Sequence, residues 1–134
     1  MEYKFNILPE EGLVVETIKG EITLEEMIEK TKALFSNSSY DASFSGVCDL
    51  RKATPRMSKV ELYGFATLVN ESEQFGQAPW AILASDPMMV ALSQIFKVRV
   101  MDPSIIGVFS TVTEAARFIQ NPKVLELIDE EPVI

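Results

Sequence analysis

The chain predicts an α/β fold: a mixed, largely parallel sheet of about five strands, opened by an antiparallel hairpin and accompanied by four or five helices. Three observations carry this. Five short segments have strand character, the first two are separated by only a turn, and every later strand-like segment alternates with an amphipathic helical one. A length of 134 residues suits a single domain spanning 1-134, enough to bury one core without disulfides or a structural metal.

"YKFNIL", from Tyr3 to Leu8, alternates apolar and polar residues; "PEEG" supplies a turn and "LVVETIKG" a second strand. "TLEEMIEKTKALF" places Leu24, Met27, Ile28, Thr31, Leu34 and Phe35 on one helical face, and Thr23 with Glu26 has capping-box spacing at its start. The polar "NSSYDASFSG" leads into "GVCDL", whose continuous hydrophobicity suits an inner strand, followed by a basic loop. "SKVELYGFATLVNESEQ" carries Leu62, Phe65 and Val69 at helical spacing, with Ser58 and Glu61 repeating the capping box. "PWAILAS" is a buried strand. "DPMMVALSQIFKV" opens a helix with Asp86 as N-cap and Pro87 at the first helical position. "SIIGVFS" is the last strand, "TEAARFIQ" a short helix, and "KVLELI" a further turn or two before the acidic run Asp129 to Glu131.

Composition narrows the function. A net charge of -8 disfavours a grip on nucleic-acid phosphates. No apolar run approaches the ~20 residues of a membrane span, and no signal peptide is visible at Met1, so a cytoplasmic, soluble protein is expected. The chain has no histidine, which removes Ser-His-Asp and Cys-His catalysis and histidine-ligated metals. Cys48, the only cysteine, sits among apolar neighbours and is expected to be an inert core residue. The paired carboxylates, such as Glu10 with Glu11 and Glu25 with Glu26, point in diverging directions and form no acid-base dyad. No catalytic residue, cofactor or metal is expected, and the chain is not expected to be an enzyme.

"IKGEIT", "GVCDL", the helix start at Ser58, "WAILASDP" and "GVFSTVTEAARFI" together resemble the SpoIIAA-like branch of the STAS fold, the domain of anti-sigma-factor antagonists and sulfate-transporter tails. The resemblance spans about Tyr3 to Ile119. It implies a noncatalytic regulatory or protein-docking module, and it makes Ser58 a phospho-acceptor candidate, since antagonists carry a phosphorylated serine at that helix start. Their Asp-Ser-Ser-Gly motif is replaced here: Met57, Lys59 and Val60 flank the serine. As a residue, Ser58 reads first as a plain helix cap.

Two further regions are candidate sites. Arg51, Lys52, Arg56 and Lys59 are four of the chain's 12 basic residues, with no acid among positions 51 to 59. Beside a helix N-terminus they suit an anionic ligand or an acidic partner surface; the plainer alternative is a solvated loop. The segment from Asp86 to Met101 is apolar on more than one face, which makes Met88, Met89, Leu92 and Phe96 an interface or apolar-pocket candidate. A homodimer is the simplest interface. The alternatives are cover by "KVLELI", or a region after Lys97 that is not helix at all. The first functional expectation is therefore docking to a protein partner of unknown identity. The second is a carrier or sensor of a small molecule or lipid, with an apolar pocket and a cationic rim.

Overall fold

The computed structural model describes residues 1–130; Glu131 of the acidic run lies outside the described residues. Strands β1 (Glu2–Leu8) and β2 (Leu13–Ile22) pair antiparallel, from Glu2 opposite Lys19 to Leu8 opposite Leu13. A single 3-10 turn joins them. It closes on Gly12, whose φ of 59° lies in the left-handed region that glycine adopts freely. Strands β3 (Ser45–Pro55), β4 (Trp80–Leu83) and β5 (Ile106–Phe109) add in parallel, giving the order β1-β2-β3-β4-β5 with β3 at the centre. The helices are α1 (Leu24–Phe35), α2 (Lys59–Asn70), α3 (Pro87–Arg99), α4 (Val112–Ile119) and α5 (Val124–Leu127). The mixed sheet, its opening hairpin and the alternation of helices match the expectation.

One boundary differs in a way that matters. The basic stretch after Leu50, expected as a loop, is strand as far as Pro55. It stays extended because β2 runs on to Ile22 and offers it a partner, pairing Lys19 with Lys52 and Ile22 with Pro55 beyond a register shift between Thr17 and Lys19. Lys52 and Thr54 are exposed while Ala53 between them is buried, the period-two alternation of a half-covered strand. Similarly, α2 stops at Asn70 rather than reaching Gln74.

The sheet has helices on both faces. Val14, Ile18, Cys48, Leu50, Trp80 and Ile82 point to one side, where α1, α2 and α3 lie. Their alternating neighbours Leu13, Val15, Val47, Ala81 and Leu83 point to the other, against α4 and α5. Gly46 is needed where it stands: a Cβ there would fall 2.3 Å from the ring of Trp80, its partner on β4.

The chain beyond α5 is fastened to the second face. Arg51 forms a bidentate pair with Asp49, at 2.9 Å from Nε and 2.9 Å from an Nη, and also donates to the backbone carbonyls of Asp129 and Glu130. The Glu130 carboxylate in turn accepts from the Val112 and Thr113 amides in the first turn of α4, satisfying donors that a helix start leaves free. Residues 124–130 are thus held on the α4 side and do not cover α3.

Candidate functional site

Between the sheet and the three helices α1, α2 and α3 lies a cavity of about 110 Å³. Its walls are apolar: Leu34 from α1, Phe65 from α2, Leu92 and Phe96 from α3, Trp80 and Ile82 from the sheet. The seam between α1 and α2 is closed by apolar packing of Leu24, Met27 and Ile28 around Leu62 and Phe65. By contrast, α2 and α3 are laced at one end. The Asn70 side chain donates to the Arg99 carbonyl and accepts from the Met101 amide, and the Arg99 guanidinium lies 3.6 Å from the centre of the Tyr63 ring.

A buried ion pair interrupts this lining, which the Thr31 and Ser93 hydroxyls also border. Glu16 of β2, 1% exposed, accepts from the ammonium of Lys30 on α1 through both carboxylate oxygens at 3.1 Å, and from the Tyr3 hydroxyl at 2.8 Å. The pair is buried and compensated, so it adds no net charge to the cavity. Burial is the largest influence on Lys30 and works against its charged form. The charge and hydrogen bond of Glu16, aided by Cys48, outweigh it, and the lysine pKa lies above its ordinary value. Burial, then the Glu16 charge, likewise push the Tyr3 phenol and the Cys48 thiol far up. At neutral pH the site therefore presents an ammonium, a thiol and a phenol, none of them in the deprotonated form a nucleophile requires. Among the described residues no group of three or more His, Cys, Asp or Glu side chains is placed to hold a metal ion.

Comparison with known proteins fixes the architecture. No protein-family model matches the chain, and no curated protein does. Among solved structures, an uncharacterised protein of the DUF3478 family with a SpoIIAA-like fold, from Shewanella loihica PV-4, superposes over 80% of this chain and 83% of its own with a TM-score of 0.52, at 11% sequence identity. The fold is SpoIIAA-like.

Within the SpoIIAA-like frame, each residue singled out from sequence has a definite position. Ser58 is exposed and caps α2: its hydroxyl accepts from the Glu61 amide at 3.1 Å and its own amide donates to the Glu61 carboxylate at 3.0 Å. Of the four cations, Arg51 and Lys52 border one pocket together with Lys19 and Asp129. Arg51 is buried under the C-terminal segment, while Arg56 reaches the Glu21 carboxylate at 3.0 Å with both side chains mostly exposed. Lys52 lies opposite Lys19 on the strand extension, and Lys59 is the exposed first residue of α2. Arg56 stands between Pro55 and Met57, both of which line the cavity.

The four apolar candidates on α3 divide by helical phase. Met89, Leu92 and Phe96 point inward and line the cavity, whereas Met88 is exposed. Val98 and Met101 are exposed as well, so the segment Lys123 to Ile128 does not cover them, while the helix stops at Arg99 and leaves Val100 and Met101 outside it. The helix continues past Lys97 to Arg99, and that lysine caps the following turn by donating to the carbonyls of Pro103 and Ile106. No helix is long and apolar enough to cross a membrane among the described residues.

The polar cluster at the cavity escaped the sequence reading, although two signals for it exist. Glu16 falls in step with Val14 and Ile18, an acid on the apolar phase of a strand. Lys30 falls beside Thr31 and between Met27 and Leu34 on the apolar stripe of α1. Two opposite charges in buried phases of consecutive elements call for each other.

Proposed function

We propose that this SpoIIAA-like chain is a noncatalytic sensor or carrier module whose cavity beneath α1, α2 and α3 binds a small uncharged apolar molecule. The carrying observation is the chemistry of the lining: a predominantly apolar wall with Glu16 and Lys30 neutralised against each other. An ion entering such a space would lose its hydration without gaining a free counter-charge, so the pocket favours neutral ligands. The volume, below the ~150 Å³ of an apolar cavity that accepts benzene, favours a ligand no larger than a single ring over a long acyl chain. The protonated thiol, phenol and ammonium around Glu16 support a binding rather than a catalytic role.

Benzene is the direct probe. At a free concentration of ~100 times its Kd it should stabilise the folded chain by about 2.7 kcal/mol, read as a raised thermal midpoint. A midpoint that does not move at benzene saturation in water would contradict the proposal.

A second reading, docking to a protein, is favoured by the outer side of the same helix. Met88 and Val98 on α3 and Met101 just after it are 60%, 68% and 83% exposed, more apolar surface than α3 needs to cover the sheet. A second copy of the chain is the simplest partner, and sedimentation at rising concentration tests it: a monomer throughout would remove the homodimer. Since Met89, Leu92 and Phe96 of α3 line the cavity, an occupied pocket would bear directly on the helix carrying that surface.

A further inference from the structure

The Thr31 hydroxyl is the unusual polar atom of the cavity. It is buried in a side chain 5% exposed, and it has no hydrogen-bond partner among the described residues. A threonine inside a helix commonly returns its hydroxyl to the carbonyl one turn back, as Thr67 does to Tyr63 on α2. Thr31 does not. The other polar groups in the cavity wall near it, Glu16 and Lys30, are satisfied by each other.

Position adds a second argument. Along the outside of the α1 and α2 seam runs an open groove of about 450 Å³, lined by Thr31, Lys32 and Phe35 on one side and Leu68 and Glu71 on the other. Thr31 and Phe35 line both the groove and the cavity. The unpaired hydroxyl therefore stands where solvent-facing groove meets apolar interior, at a seam closed by apolar packing and, among the described residues, by no hydrogen bond between the two helices' side chains.

We propose that Thr31 is the polar anchor of the cavity, and that the ligand is a neutral, ring-sized compound with one hydrogen-bonding group, a phenol or comparable alcohol, reaching its site between α1 and α2. This rests on the cavity being a ligand site and specifies what that site selects. A purely apolar cavity rejects phenol relative to benzene, because the phenol hydroxyl gives up its water bonds for nothing. A buried hydroxyl awaiting a partner reverses that loss.

The test is calorimetric titration of the full chain with benzene and with phenol, in the wild type, Thr31→Val and Thr31→Ser. Valine keeps the shape and removes the unpaired group, so the fold is retained. The ratio of phenol to benzene affinity should fall about tenfold in Thr31→Val, with benzene binding held or improved, and should be preserved in Thr31→Ser. An unchanged ratio in Thr31→Val, or an equal loss in Thr31→Ser, would overturn the assignment of the anchor while leaving the cavity a ligand site. Failure of both compounds to bind the wild type would overturn the ligand site itself and the anchor with it.

Discussion

The two faces of the sheet are built from the same strands and differ in what they leave unfinished. On the α4 side, aliphatic residues such as Leu13, Val47 and Leu83 meet Val112, Ala115 and Val124, and polar groups enter only at the margin, where Arg51, Asp49 and Glu130 tie down the chain end. On the α1 to α3 side the same pleat supplies Val14, Cys48 and Ile82, but also an internal ion pair, a hydroxyl without a partner and a cavity. Close packing is what stabilises a core, so the filled face secures the fold and the unfilled face is free to serve a ligand.

The sharpest way to break this contrast is to make the second face resemble the first. Lys30→Met leaves Glu16 charged and buried opposite an apolar side chain. It should cost about 3 to 5 kcal/mol in urea unfolding, and adding Glu16→Leu should recover most of that. A single variant as stable as the wild type would mean the pair is not buried as described. The same cluster sets a pH dependence. Lys30, Tyr3 and Cys48 all have raised pKa values, so the folded chain retains protons that the unfolded chain releases. Stability should be level below the ordinary thiol value of 9.0 and fall as pH rises past it, Lys30 adding its loss above 10.5. Thermal midpoints that stay level from pH 7 to 11 would contradict the burial of these groups with Glu16.

The filled face has its own weak point. Arg51→Ala removes a clamp whose side chain is 3% exposed and leaves Asp49 half-satisfied, so about 2 to 3 kcal/mol should be lost. Amide exchange should accelerate in α5 and the first turn of α4 and stay unchanged in α1 to α3; acceleration across both faces would deny that they are separately secured. The smallest effect belongs to the N-terminus of α2. Ser58→Ala should cost about 1 kcal/mol and loosen only the first turn of α2, the behaviour of a cap.

Much of this was legible in the chain. Strand alternation, the capping boxes at Thr23 and Ser58 and the Asp86-Pro87 start are local chemistry, and local rules placed all five strands and every helix. The basic strand extension was not, because its partner on β2 lies about 33 residues back in the sequence, as Lys19 does from Lys52. The fate of Arg51 was equally hidden: its acceptors, the carbonyls of Asp129 and Glu130, are backbone atoms that side-chain patterns do not reveal. The α3 excess was visible as composition, but whether a given methionine points inward depends on helical phase against the sheet, which separates Met88 from its neighbour Met89.

That phase supplies the most direct measurement. Of the six methionines, Met27, Met57 and Met89 line the cavity while Met1, Met88 and Met101 are exposed outside it. In protein labelled with carbon-13 at the methionine methyls, titration with benzene should shift the three cavity signals along one saturable curve and leave the three surface signals in place. Uniform, non-saturating shifts of all six, or movement of the surface methyls alone, would contradict a ligand site beneath α1 to α3.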